Sequence, residues 1–230
     1  MKLGDGSLKI FSQFLNLKTT ISAESAENKS LIKSISFMKE AYVLDQNFEN
    51  TDFGKSPLEK GEYENCTFLN CNFEYANLSE FKFTDCEFIG CNLSMAKLSN
   101  TAFRDVIFKG CKMFGLQFSD CNEFGLSFKF DECSLNNSTF YKTTIKKTSF
   151  KNSKLIEVDF EECDLSNSVF TNCDLAGAVF VNANLEKTDF RTSINYSIDP
   201  NINKLKKAKF SLSEVHGLLY KLDIQIERNS

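Results

Sequence analysis

The chain has 230 residues, among them 24 Phe, 9 Cys, 10 Gly, 2 Pro, one His and no Trp, with a formal net charge of −4. Its 42% apolar content is enough to fill a core, which argues against wholesale disorder, and no run of about 18 apolar residues is present to make a membrane-spanning helix. The single His removes His-pair metal sites and leaves any Ser-His-Asp or Cys-His mechanism resting on His216 alone, so the composition disfavours an enzyme.

Residues 1–37 carry no repeat. Lys2 and the weakly apolar LKIFSQFLNL have the outline of a signal peptide, but Lys9, Gln13 and Asn16 interrupt it. SAESAENKS reads as flexible, and Met38 begins a stretch that leads directly into the repeat. Two readings stand: a native start at Met38 with 1–37 an upstream extension, or a short helical N-cap.

From Phe48 onward the large apolar residues fall on a ruler of five: Phe53, Leu58, Tyr63, Phe68, Phe73, Leu78, Phe83, Phe88, Leu93, Leu98, Phe103, Phe108, Met113 and Phe118. After a slip of two it resumes at Phe130 and runs through Leu135, Phe140, Ile145, Phe150, Leu155, Phe160, Leu165, Phe170, Leu175, Phe180 and Leu185 to Phe190, so that 16 of the 24 Phe are ruler positions. A period of five is neither 3.6 nor 2, so neither an amphipathic helix nor an ordinary strand explains it, and something must turn the chain every five residues. The position two before each centre is mostly small (Cys66, Ala76, Cys86, Ala96, Ser138, Ser153, Ala178), and a polar residue usually follows it (Asn72, Glu87, Asp164, Asn184).

This pattern, seen in NCTFLNCNFEYANLSEFKF and ECDLSNSVFTNCDLAGAVFVNANLEKTDF, resembles the pentapeptide repeat family over about residues 48–190. The resemblance implies an all-β solenoid, a right-handed quadrilateral β-helix of about seven coils spanning 38–195. Each pentapeptide makes one side, and the centre and the small residue point inward. Residues twenty apart then stack: Phe48, Phe68, Phe88 and Phe108 in one column, Leu58, Leu78 and Leu98 in another, Phe130, Phe150, Phe170 and Phe190 in a third. The core is expected to centre on Phe68, Phe88, Phe108, Phe130, Phe150, Phe170 and Phe190.

The break at 119–129 puts Glu123 where a centre is due, and a carboxylate cannot sit unpaired in an apolar core. A two-residue bulge or small loop is expected, either a plain kink or a protruding recognition loop. All nine Cys lie two residues before a ruler position, so they follow the repeat phase instead of clustering as metal or redox ligands would. They read as small interior fillers, with Cys71, Cys91 and Cys111 in one column. Many unpaired thiols fit a reducing compartment, hence the cytoplasm. No metal and no cofactor is expected.

Beyond Phe190 the ruler stops and Pro200 marks a turn. Residues 196–230 are expected to cap the solenoid with a helix over FSLSEVHGLLYKL, Ser211 and Glu214 forming a capping box and Leu212, Val215, Leu218, Leu219 and Leu222 its apolar face. DIQIE alternates like a short strand. In members of the family of the quinolone-resistance (Qnr) type the C-terminal module also makes a two-fold dimer, so those leucines are the expected homodimer contact.

Residues 38–199 carry a net charge of −9, interrupted by the acid-free stretch 133–154 with Lys142, Lys146, Lys147, Lys151 and Lys154. The Qnr resemblance implies a rod about as wide as a DNA duplex whose carboxylates stand in for phosphates and bind DNA gyrase or topoisomerase IV. Glu157, Asp159, Glu161, Glu162 and Asp164 are the candidate partner-binding residues, and the lysine band departs from a uniform acidic mimic. Direct nucleic-acid binding by a net acidic rod is not expected. No phosphate loop, GxSxG or HExxH is present. Two non-catalytic readings remain: a DNA-mimicking regulator or protector of a type II topoisomerase, and a general interaction scaffold.

Overall fold

The structure, a computed structural model, describes residues 40–222 together with Ile224, Gln225 and Glu227. Residues 41–230 form one compact unit. The expectations for residues 1–37 lie outside the described residues.

Among the described residues, eleven short strands build two sides of a coiled chain. β1 (Ala41–Leu44), β3 (Gly61–Glu64), β5 (Lys82–Thr84) and β7 (Ala102–Arg104) stack into one four-stranded sheet. β2 (Asn47–Glu49), β4 (Thr67–Leu69), β6 (Glu87–Ile89), β8 (Val106–Lys109), β9 (Phe128–Asp131), β10 (Ser149–Lys151) and β11 (Val169–Thr171) stack into a seven-stranded sheet. Every pairing is parallel, with Phe48 opposite Phe68 and Tyr63 opposite Phe83. Isolated parallel bridges form the third side (Asp52, Asn72, Asn92, Lys112, Ser134, Lys154, Asp174 and Ile194) and the fourth (Gln117, Thr139, Asp159 and Val179). Parallel strands need a crossover between them; here the other three sides of the coil supply it. The chain is therefore an all-β parallel solenoid.

The turn at most corners is a single residue in the left-handed region, two after the centre. Asn50, Asn65, Asn70, Asp85, Asn100 and Gly110 all have φ between 50° and 62°, as suits Asn, Asp and Gly. Longer residues follow the same rule: Tyr75 at φ 57°, Lys142 at 58° and Glu157 at 57°. The strain of roughly 1–3 kcal/mol is offset because the N–H of most corner residues bonds the next coil, Lys142 to the Glu161 carbonyl at 3.0 Å and Glu157 to that of Ala176 at 2.9 Å.

Inside, every ruler centre is buried except Phe48 and Leu58, which are half-buried beside the first coil. The seven phenylalanines expected at the heart of the core are all 1% exposed or less. The two Phe columns expected as separate are one. Phe108 pairs with Phe130 across the two-residue insertion, and their rings stack at 5.4 Å. The result is a ladder of nine rings, Phe48, Phe68, Phe88, Phe108, Phe130, Phe150, Phe170, Phe190 and Phe210, with neighbouring centroids 4.7–5.4 Å apart. A second ladder, Phe118, Phe140, Phe160 and Phe180, meets it edge-on, as at Phe140–Phe150 with an interplanar angle of 88°. Stacking within a ladder and edge contact between ladders are both favoured by the ring quadrupole.

The small positions do more than fill space. Cys71 Sγ lies 3.4 Å from the Phe48 carbonyl, Cys91 Sγ 3.1 Å from that of Phe68 and Cys111 Sγ 3.2 Å from that of Phe88. Hydroxyls in equivalent positions donate in the same way, Thr101 to the Leu78 carbonyl at 2.7 Å and Ser193 to that of Phe170 at 2.8 Å. Cys, Ser and Thr interchange here because each is a small side chain with a hydrogen to donate to the previous coil.

The insertion is absorbed in a bulge over 121–127. Glu123 points to solvent, and Phe128 takes the core volume left by the missing centre, its ring 5.8 Å from Phe103 and 5.3 Å from Phe118.

The C-terminal expectations need correction. The coil continues past 195: Asn184 pairs with Lys204, Asp189 with Lys209, and Phe210 stacks on Phe190. Two irregular sides, at Asn195 and Pro200, hid two further rungs of the ruler, Leu205 and Phe210. No α-helix follows. Val215–Leu218 and Tyr220–Leu222 are separate 3-10 turns. The Ser211–Glu214 capping box is absent, since the Ser211 hydroxyl instead lies 3.1 Å from that of Ser213 and Glu214 makes no side-chain cap bond. The physical reason is docking: the Ile198 N–H donates to the Gly217 carbonyl at 2.9 Å, and a Cβ at Gly217 would collide with the Tyr196 backbone. That tie to the last coil takes precedence over continuous i to i+4 bonding. Ile224, Gln225 and Glu227 lie in no strand; the rest of DIQIE lies outside the described residues.

Candidate partner-binding surface

With the interior filled by rings, chemistry has to reside outside. Among the described residues no cluster of His, Cys, Asp and Glu is arranged to hold a metal. Burial pushes the Cys86 and Cys163 thiols up to about 12 and that of Cys173 to about 11, which leaves them protonated and poorly nucleophilic at neutral pH.

The five candidate acids run around one coil, from the corner at Glu157, across the fourth side at Asp159 and Glu161, round the next corner at Glu162 to Asp164. They are largely engaged by the preceding coil. Asn137 donates to Glu157 at 2.7 Å and the Thr139 hydroxyl to Asp159 at 3.0 Å. Lys142 lies 3.6 Å from Glu162 and Lys146 3.2 Å from Asp164. Burial raises the Asp164 pKa, but hydrogen bonds from the Ser166 N–H and hydroxyl, Lys146 and Asn184 outweigh it and hold the carboxyl below its usual range. Lys151 of the same band meets Asp131 at 3.1 Å. The lysine band and the acids beside it therefore compensate each other locally. A spacing of twenty links Lys142 to Glu162 and Asp131 to Lys151 in the sequence itself, a signal that segment-by-segment charge counting passes over.

A third charge group was not foreseen. Arg191 forks onto both oxygens of Asp189, with contacts of 2.7–3.2 Å, and Lys209 stands 3.7 Å away. The Arg191 bonds hold the Asp189 carboxyl below its ordinary range despite partial burial.

The bulge protrudes. Phe124 is 79% exposed, with the Arg104 guanidinium 5.7 Å from its ring centre. Asn122 Oδ1 accepts the Phe124 N–H at 3.0 Å, Gly125 turns the chain at φ 71°, and the Ser127 hydroxyl donates to Asp105 at 3.0 Å. Tyr75, Met95 and Phe114 form a further exposed apolar stripe on adjacent coils. Of the five C-terminal apolar candidates, Leu218 packs against the core and Val215 and Leu219 are half-buried, whereas Leu212 and Leu222 face solvent.

The model of the pentapeptide repeat region matches residues 58–140, 81–158, 126–197 and 143–218 in overlapping windows. The chain belongs to the pentapeptide repeat family. Two solved structures of trypsin-treated QnrB1 variants, QnrB1 being a plasmid-mediated fluoroquinolone resistance protein, align with this pentapeptide repeat protein at 19% identity. One covers 83% of this chain and 100% of its own with a TM-score of 0.54; the other covers 82% and 98% with a TM-score of 0.53. That likeness is one of fold. No curated relative matches the chain.

Proposed function

We propose that this pentapeptide repeat protein is a non-catalytic binding protein that engages a type II topoisomerase, DNA gyrase or topoisomerase IV, by presenting carboxylates where the enzyme expects DNA phosphates. The observation that carries the reading is the placement of chemistry: a core closed by two ring ladders, with a net charge of −9 over residues 38–199. A filled interior offers no substrate pocket, while an acidic rod steers toward positively charged DNA-binding grooves. The resemblance of the fold to QnrB1 points to the same class of partner. Nine unpaired buried thiols suit a reducing compartment, so we place the protein in the cytoplasm.

Lysines pair with Asp52, Glu62, Glu80, Glu162 and Asp164, whereas the exposed Glu87 makes no ion pair among the described residues and is open to a partner. The test is a gyrase supercoiling assay with and without ciprofloxacin. Micromolar protein is expected to inhibit supercoiling or to restore it in the presence of the drug; no effect in either arm sinks the proposal and leaves the general interaction scaffold as the reading.

A further inference from the structure

The corner between the first and second sides carries one residue per coil: Asp45, Asn65, Asp85, Asp105, Ser127, Lys147, Asn167, Lys187 and Lys207. The rungs are in contact through their backbones. The N–H groups of Asp85, Lys147, Asn167 and Lys187 bond the carbonyls of Arg104, Ser166, Glu186 and Lys206, each the residue before the next rung. Side chains tie two more steps, Asn65 to Asp45 at 2.6 Å and Ser127 to Asp105 at 3.0 Å. Every rung but Ser127 has positive φ and is exposed. None of the six charged rungs makes an ion pair among the described residues, although lysines elsewhere on the rod do.

The order of charge along this column is distinctive. Its first half is acidic and its second half basic, and the change falls at Ser127, in the bulge. Turned end for end about Ser127, the column sets Asp45 against Lys207, Asn65 against Lys187, Asp85 against Asn167 and Asp105 against Lys147. No like charges meet. An interface between two identical chains related by a two-fold axis must be self-complementary in this sense.

We propose that this corner binds a second copy of the chain, the two rods lying antiparallel with the two-fold axis passing through the bulge. Phe124, 79% exposed beside Ser127, then meets its own counterpart at the centre. It supplies the apolar anchor, and the charged rungs set register and exclude the parallel arrangement, in which Asp would face Asp. At about 4.8 Å per coil, the outermost Asp45–Lys207 contacts fall roughly 19 Å either side of the axis.

Sedimentation equilibrium of the full chain at tens of micromolar tests the proposal. A dimer is expected at 50 mM NaCl, weakened about tenfold or more at 500 mM as exposed charges are screened. Lys147→Asp with Lys207→Asp should give a monomer of unchanged circular dichroism. Adding Asp45→Lys and Asp105→Lys to the same chain exchanges the two halves and should restore the dimer. Phe124→Cys should form an intermolecular disulfide under mild oxidation, which Leu212→Cys should not. A monomer at low salt overturns the proposal. So does a dimer indifferent to the charge reversals, or one that cross-links through Leu212→Cys and not through Phe124→Cys, which would place the contact at the C-terminal turns.

Discussion

At the residue scale the small inward position is a donor site as much as a gap. Cys91 sits over the Phe68 carbonyl at 3.1 Å as Ser193 sits over that of Phe170 at 2.8 Å. Cys91→Ser should therefore change stability by less than about 1 kcal/mol, whereas Cys91→Leu forces extra methylenes into a filled column and should cost about 1–3 kcal/mol; urea denaturation of both variants decides. Gly217 is fixed for the opposite reason, since any Cβ there meets the Tyr196 backbone. Gly217→Ala should detach the C-terminal turns while leaving the coils intact, visible as faster amide exchange at Ile198 with Phe150 rung protection unchanged. Asp189 has its pKa depressed chiefly by Arg191. A depressed folded-state pKa stabilises above the ordinary carboxylate range and loses that contribution as pH falls through the folded value. Arg191→Ala should accordingly raise the Asp189 pKa in an NMR titration and flatten the acid limb of stability against pH; an unmoved titration would contradict the assignment.

At the scale of the element, the unit is the side of a coil, and its centre is the ring ladder. Phe150, fully buried between Phe130 and Phe170 at 5.1 and 4.7 Å, should lose about 3–5 kcal/mol on truncation to Ala. Phe48 is half-buried at the end of the same ladder and should lose clearly less, as chemical denaturation would measure. The five-residue spacing made this legible in the sequence, because each centre must fill the same volume as the one twenty residues away. The corners were legible too but unread: Asn, Asp and Gly recur two residues after the centres, and that position carries the left-handed turn the period demands. What local pattern could not show is competition between local and long-range bonding. FSLSEVHGLLYKL has helical spacing and a capping pair, yet the bond from Ile198 to Gly217 ties it to the last coil as two 3-10 turns. The bulge likewise looked like a break between two columns, because sequence distance alone does not reveal that the insertion is looped out and that Phe108 still stacks on Phe130.

At the scale of the whole molecule, a solenoid turns sequence position into surface position: residues one coil apart become neighbours along the axis. Charge that looks segregated along the chain is thereby interleaved, which is why the acids at 157–164 meet the lysines at 142–146. The proposed function follows from that surface and from the family to which the chain belongs. Its most direct test is competition for gyrase between this protein and a fluorescently labelled DNA duplex, followed by anisotropy. The account predicts that the protein displaces the duplex in a concentration-dependent way, more weakly when Glu87 is changed to Gln. A duplex that stays bound at saturating protein, or an equally effective variant, would contradict it.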